Sequence, residues 1–247
     1  MLIGINGVQG SGKSTACRFL EAILADNGLR VATLSLDDLY LSGAARARQA
    51  AAIHPLFVTR GVPGTHDLTL GHAVIDALLA GAGPVAVPRF DKGRDEPATE
   101  WPVVSAPVDV LLFEGWCIGA TPQPESALAV PVNALEATED PDSGWRRAVN
   151  DTLGDSYARL FARLDLLVAL VAPDFGAVSG WRRQAEMPLR ALGLGMDDAA
   201  LDRFIQHYER LSRHMLATMP AQADITIAIA RDHTAGAVHG LDRPAAN

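Results

Sequence analysis

Lysine is almost absent from this chain of 247 residues: Lys13 and Lys92 are the only two, and arginine supplies the remaining basic charge. Cysteine is as sparse. Cys17 and Cys117 stand apart in apolar stretches, with no metal-ligand or disulfide spacing, so buried reduced thiols are expected. Net positive charge is missing: the formal charge is −8, which argues against the basic surface that a nucleic acid or an anionic membrane requires. No apolar run reaches the ~20 residues that span a bilayer. The first residues read as a strand rather than a signal peptide. A cytoplasmic protein with no nucleic-acid or membrane partner is therefore expected. No repeat and no shift of composition marks a boundary, so residues 1–247, 49% hydrophobic, are read as one domain. Its oligomeric state is not legible.

What the chain does contain is Gly7-Val8-Gln9-Gly10-Ser11-Gly12-Lys13-Ser14, a match to G-x-x-x-x-G-K-[ST]. Glycines let a backbone curl until successive N–H groups point inward at an anion. Lys13 places a positive charge on the β- and γ-phosphates of a nucleotide, and Ser14 offers its hydroxyl to Mg²⁺. The setting agrees. Leu2-Ile3-Gly4-Ile5 reads as a buried strand entering the loop. Residues 14–24 read as a helix with Cys17, Leu20, Ile23 and Leu24 on one face, its positive end toward the phosphates. Gly7, Gly10, Ser11, Gly12, Lys13, Ser14 and Thr15 form the expected phosphate-binding set.

Further apolar runs predict strands near 2–6, 30–36, 84–87, 108–113, 166–171 and 224–230, with helices between them. That alternation describes an α/β domain: a doubly wound, mainly parallel sheet of the P-loop NTPase type, with helices on both faces. Ligands bind such sheets at the carboxyl ends of their strands, and two strands end on acids. One runs into Asp37-Asp38-Leu39-Tyr40. Asp37 is there a general base, a water-mediated Mg²⁺ contact, or a helix N-cap. The other closes on Glu114-Gly115, the expected form of a Mg²⁺-linked carboxylate.

Two loops carry polar groups with no apolar face to serve. In Arg60-Gly61-Val62-Pro63-Gly64-Thr65-His66-Asp67, Arg60, Thr65, His66 and Asp67 either bind an anionic, hydroxylated small molecule, or Thr65 caps a helix over 67–79 and His66 lies on the surface. Arg89, Lys92 and Arg94 either hold a carboxylate or are neutralised by Asp91, Asp95 and Glu96 on a solvated loop. Residues 117–144 are rich in proline and acid and read as an irregular stretch, either a partly helical cover or a soluble loop. From Trp145 to Leu164 the spacing is that of a packed helix. A helix from about 174 to 190 carries Trp181-Arg182-Arg183-Gln184. Adjacent arginines cannot share a helix face. One could therefore reach a transferring phosphoryl group while the other faces out; alternatively Arg182 pairs with Glu186. Another helix is expected over 197–216, and a loosely ordered tail from Arg231.

Together the phosphate loop, Ser35-Leu36-Asp37-Asp38-Leu39-Tyr40, Arg60 to Asp67, Pro88-Arg89-Phe90-Asp91-Lys92, Phe113-Glu114-Gly115-Trp116-Cys117 and Trp181 to Gln184 resemble the D-glycerate 3-kinase branch of the phosphoribulokinase, uridine kinase and pantothenate kinase superfamily. The resemblance runs from the first strand to the last. It implies a small-molecule kinase that uses ATP and Mg²⁺ and has a helical lid. Asp37 then matches the base toward the acceptor hydroxyl, with Lys13 catalytic beside it. Ser14, Glu114 and Asp37 match the metal side, and Arg182 with Arg183 the lid arginines. Asp38, Tyr40, Arg60, Thr65, His66, Asp67, Arg89, Lys92 and Arg94 fall in segments that would hold an anionic acceptor. D-glycerate is the first expectation; a nucleoside, pantothenate or another sugar acid is the alternative. A guanine-nucleotide switch or metallochaperone would want Asn-Lys-x-Asp, and the chain has no Asn-Lys pair.

Overall fold

The computed structural model describes residues 1–191, 193 and 195–241. Its strands are β1 (Leu2–Gly7), β2 (Val31–Ser35), β3 (Gly83–Ala86), β4 (Phe90–Asp91), β5 (Glu96–Pro97), β6 (Val103–Ala106), β7 (Val110–Gly115), β8 (Leu166–Val171), β9 (Ile225–Ile229) and β10 (Ala235–His239). The helices are α1 (Lys13–Asp26), α2 (Gly43–Ala52), α3 (Leu68–Ala80), α4 (Glu125–Leu128), α5 (Ala134–Glu139), α6 (Gly144–Thr152), α7 (Ala158–Phe161), α8 (Phe175–Ala191) and α9 (Asp198–Gln222).

The central sheet runs β10-β9-β8-β1-β7-β2. Every pairing is parallel except β10 with β9. β7 is buried at all six positions, as a strand covered on both faces must be. Its side chains alternate. Val110 and Leu112 join Ile5 and Cys17 under α1; Leu111 and Phe113 join Val74, Ile75 and Leu78 of α3 on the opposite face. This is the doubly wound α/β fold that the sequence pattern predicts. No described helix is long and apolar enough to cross a membrane.

Three expectations are corrected. The strand near 84–87 lies outside the central sheet: β3 pairs antiparallel with β6 in a separate ribbon. Both its strands alternate half-buried and exposed, the mark of a ribbon with one covered face. The tail is not irregular over 235–239, where β10 extends the sheet edge; residues 242–247 lie outside the described residues. Ile23 is exposed, because at 100° per residue it falls on the rim of the face that Cys17, Leu20 and Leu24 turn inward. The stretch 117–144, read as either a partly helical cover or a soluble loop, is partly helical, with α4 and α5, and two of its acids are structural. Buried Glu136 takes two 2.7 Å bonds from Arg210 on α9, and buried Asp140 pairs with buried Arg146 at 2.8 Å. Removing either partner of such a pair strands a buried charge, at a cost of ~3–5 kcal/mol.

Candidate active site

The loop after β1 takes its shape from glycines. Gly10 and Gly12 have φ of 82° and 90°, a left-handed backbone that side chains resist. Gly10 has a second constraint: a Cβ there would come within 2.5 Å of Trp181 Cβ on α8. The N-terminus of α1 has no side-chain cap, so its first amides remain available to an anion.

β2 and β7 end beside this loop. Ser35, the last residue of β2, caps a short 3₁₀ turn, Leu36–Leu39, by accepting from the Asp37 amide at 3.3 Å. That turn aims Asp37 into a cleft of ≈ 410 Å³ lined by the phosphate loop, the strand ends, α8 and α9. Of the expected site residues it brings together Gly10, Lys13, Ser14, Asp37, Tyr40, Arg60, Lys92, Glu114 and Arg182.

The cleft is electrostatically unfinished. Lys92 Nζ contacts Asp37 Oδ2 at 2.7 Å. Arg60 pairs with Asp95, which buried Arg46 also holds. Arg182 pairs with Glu186 at 2.7 Å while its guanidinium lies 5.3 Å from the Phe204 ring centre. Among the described residues Lys13 has no carboxylate within ion-pair distance, and Glu114, 7% exposed, has no cation. The Ser14 hydroxyl donates to Glu114 Oε1 at 2.8 Å. Buried carboxylates are ordinarily paired or metal-bound. An ammonium and a buried carboxylate in one cleft, each without an ion-pair partner among the described residues, fit an anion and a cation arriving together. No cluster of three or more potential metal ligands occurs among the described residues. The Ser14 hydroxyl and the Glu114 carboxylate are oxygen ligands of the kind that Mg²⁺ takes beside waters and substrate phosphates.

Asp37 is held ionised. Burial is the largest single influence and raises its pKa, but the Lys92 ammonium, Lys13 and the Tyr40 hydroxyl together outweigh it, and the pKa falls from 3.8 to about 2. Tyr40 donates to Asp37 Oδ1 at 2.8 Å, and burial raises its own pKa. Behind Tyr40, His66 stacks on the ring with centroids 4.6 Å apart. Burial lowers its pKa to about 3, so it is a neutral support.

Other expected residues lie outside the cleft. Thr65 is buried; its hydroxyl accepts from Gly61 N at 2.9 Å and donates to Val62 O. The cap of α3 is Asp67, not Thr65, accepting from Leu70 N at 2.9 Å. His66 is buried against Tyr157, not on the surface. Arg183 turns outward to Asp202, as its place one residue from Arg182 requires. Arg94 is exposed beside Asp91. Asp38 accepts from the Phe90 amide at 3.0 Å and with Arg89 lines an annex of ≈ 220 Å³ that shares Ser14, Ser35 and Glu114. Gly7, Ser11, Gly12 and Thr15 do not line the cleft wall, although a Cβ on Gly7 would meet the Ser11 hydroxyl at 2.5 Å.

Sequence reasoning missed Gln9, Ser35, Trp116, Phe204 and Tyr208 as cleft residues. Phe204 and Tyr208 did leave a signal. They are aromatics one helical turn apart in a segment otherwise rich in charge, a pattern that also describes plain core packing.

No family model matches the chain. An uncharacterized kinase of Schizosaccharomyces pombe is 34% identical over 220 residues, covering 84% of this chain and 78% of that protein. The chloroplastic D-glycerate 3-kinase of Arabidopsis thaliana is 32% identical over 234 residues, covering 90% of this chain; the chain spans 49% of that enzyme's length. A solved D-glycerate 3-kinase from Cryptococcus neoformans superposes with a TM-score of 0.79 at 24% identity, over 97% of this chain and 89% of that one, and shares its fold.

Proposed function

Because the chain belongs to the D-glycerate 3-kinase-like branch of the phosphoribulokinase, uridine kinase and pantothenate kinase superfamily, and is thereby an ATP-dependent phosphotransferase acting on an alcohol, we propose that its acceptor is a small hydroxy acid, D-glycerate first. The observation that carries this reading is the meeting in one cleft of Asp37 with Lys13, Lys92 and Arg60. A base for a hydroxyl, a cation for phosphate and two cations for a carboxylate are the parts such a transfer needs.

In the reaction the acceptor oxygen forms a bond to the γ-phosphorus, the bond from that phosphorus to the β–γ bridging oxygen breaks, and ADP leaves. Asp37 takes the hydroxyl proton. Lys13 and the first amides of α1 hold the phosphates. Ser14 and Glu114 would hold Mg²⁺, which supplies charge neutralisation when bound. Arg182 leaves Glu186 to reach the equatorial oxygens as α8 closes and excludes water. Arg60 and Lys92 take the acceptor carboxylate, with charge-assisted bonds about twice as strong as neutral ones.

An ADP-release screen of D-glycerate, other hydroxy acids, nucleosides and pantothenate tests the reading. D-glycerate should stimulate release where glycerol, its uncharged analogue, does not. Stimulation by a nucleoside or pantothenate, with every hydroxy acid inert, overturns it.

Two variants follow from the charges. Glu114→Gln should raise the Mg²⁺ concentration for half-maximal turnover by about 10–100-fold, read by titrating Mg²⁺ against turnover and against ADP binding. Lys92→Met removes the contact that depresses Asp37, leaving burial to raise it. The wild-type base stays ionised down to about pH 3; in the variant it protonates at higher pH. The acid limb of kcat/KM should therefore move upward in Lys92→Met, and an unmoved limb would mean that Asp37 is not the titrating base.

A further inference from the structure

We infer that Tyr208 and Trp116 are positioning residues for Arg60: they grip the peptide units of residues 60 and 61 so that this guanidinium meets the acceptor carboxylate. For its ligand the inference rests on the hydroxy-acid reading; the grip itself is geometric. Tyr208 on α9 donates its hydroxyl proton to the Arg60 carbonyl at 3.0 Å. Trp116, two residues past Glu114, donates its indole N–H to the Gly61 carbonyl at 2.9 Å. The two rings meet edge to face, centroids 4.9 Å apart at 71°, so the donors brace each other. The Gly61 amide is taken as well, by the Thr65 hydroxyl at 2.9 Å.

Gly61 is what lets the loop approach. Its φ is 132°, and a Cβ there would fall 1.9 Å from the Tyr208 hydroxyl oxygen. No other residue could bring both carbonyls under the two aromatic donors. From this fixed backbone the Arg60 side chain crosses the face of Phe90, 5.6 Å from its centroid, toward Asp95.

Tyr208 and Trp116 line the cleft, yet each has one donor proton, and each proton is committed to the backbone of the arginine loop. They therefore act on the acceptor through Arg60. A long side chain gains from such anchoring, because an arginine gives up much rotamer freedom on binding and a fixed backbone leaves less to be ordered. A misplacement of about 1 Å at a remote support can cost about 10²-fold in rate.

Tyr208→Phe keeps the ring and removes only the hydroxyl, and Trp116→Phe removes the other donor as an independent check. Hydrogen–deuterium exchange of the peptide covering 59–65 reads the grip without reference to any acceptor. It should quicken in each variant while the phosphate loop stays as protected as before. In kinetics with D-glycerate, the acceptor KM should rise roughly tenfold in Tyr208→Phe, with the KM for ATP within about twofold. In an Arg60→Met background the same substitution should leave the acceptor KM unchanged, because the group it positions is gone. Unchanged exchange in both variants overturns the inference, as does an equal rise of KM with and without Arg60. Quickened exchange in a protein for which D-glycerate is inert supports the grip and overturns the acceptor reading instead.

Discussion

Asp37→Asn should lower kcat by about two to four orders of magnitude, the range of a positioned general base, with the KM for ATP little changed. The amide matches the carboxylate in shape and can still accept from Tyr40, so the 3₁₀ turn and the cleft wall survive. It cannot take a proton. A loose transition state asks for that proton late, after the bond to phosphorus has begun to form, which is why a carboxylate held at a pKa of about 2 can serve. A strong base is not needed where positioning dominates.

The same substitution should lower the melting temperature by a few degrees. A depressed carboxylate adds stability that is present above its ordinary value of 3.8 and lost as pH falls through about 2. At neutral pH this is at most about 2 kcal/mol, less after solvent screening of a lysine whose side chain is 60% exposed. The asparagine variant lacks it at every pH, so its deficit should close on acidification. Near-wild-type turnover would remove Asp37 from the chemistry.

Lys13→Ala is the second large effect, expected at about two to three orders of magnitude in kcat together with weaker ATP binding. Its ammonium has no carboxylate within ion-pair distance among the described residues, so no ion pair is broken by removing it and the fold should survive. The two variants differ in what they leave behind. Asp37→Asn should spare any slow acceptor-independent hydrolysis of ATP, since Asp37 serves the acceptor hydroxyl and not the nucleotide. Lys13→Ala should depress hydrolysis and transfer alike. Calorimetry with ATP and coupled ADP release, with and without acceptor, separate them. Equal loss of hydrolysis in both would argue that Asp37 acts on the nucleotide.

Much of the site was legible because its geometry is local. A left-handed φ at Gly10 and Gly12, amides exposed at a helix start, and an acid closing a fully buried strand are written within a few consecutive residues. Short-range sterics and strand burial enforce them wherever the chain then goes. The burial of β7 on both faces belongs to the same class. So does the outward turn of Arg183, since two neighbours on a helix diverge by 100°.

Partners of long side chains are another matter. Asp95 takes Arg60 from 35 residues away, and Glu136 and Asp140 proved to be buried anchors because α9 and α6 bring arginines to them. β3 left the central sheet for want of a second covered face, which four residues cannot announce. Tyr208 reaches the Arg60 carbonyl across 148 residues, and nothing in its own neighbourhood distinguishes it from a core tyrosine. The chain's sequence alone determined the curl of the loop after β1 and the acid that closes β7, because backbone conformation is a short-range property. Which cations line the cleft with Asp37, and what holds them there, was decided only when distant segments packed, because a flexible charged side chain goes wherever the assembled surface offers it a counter-charge.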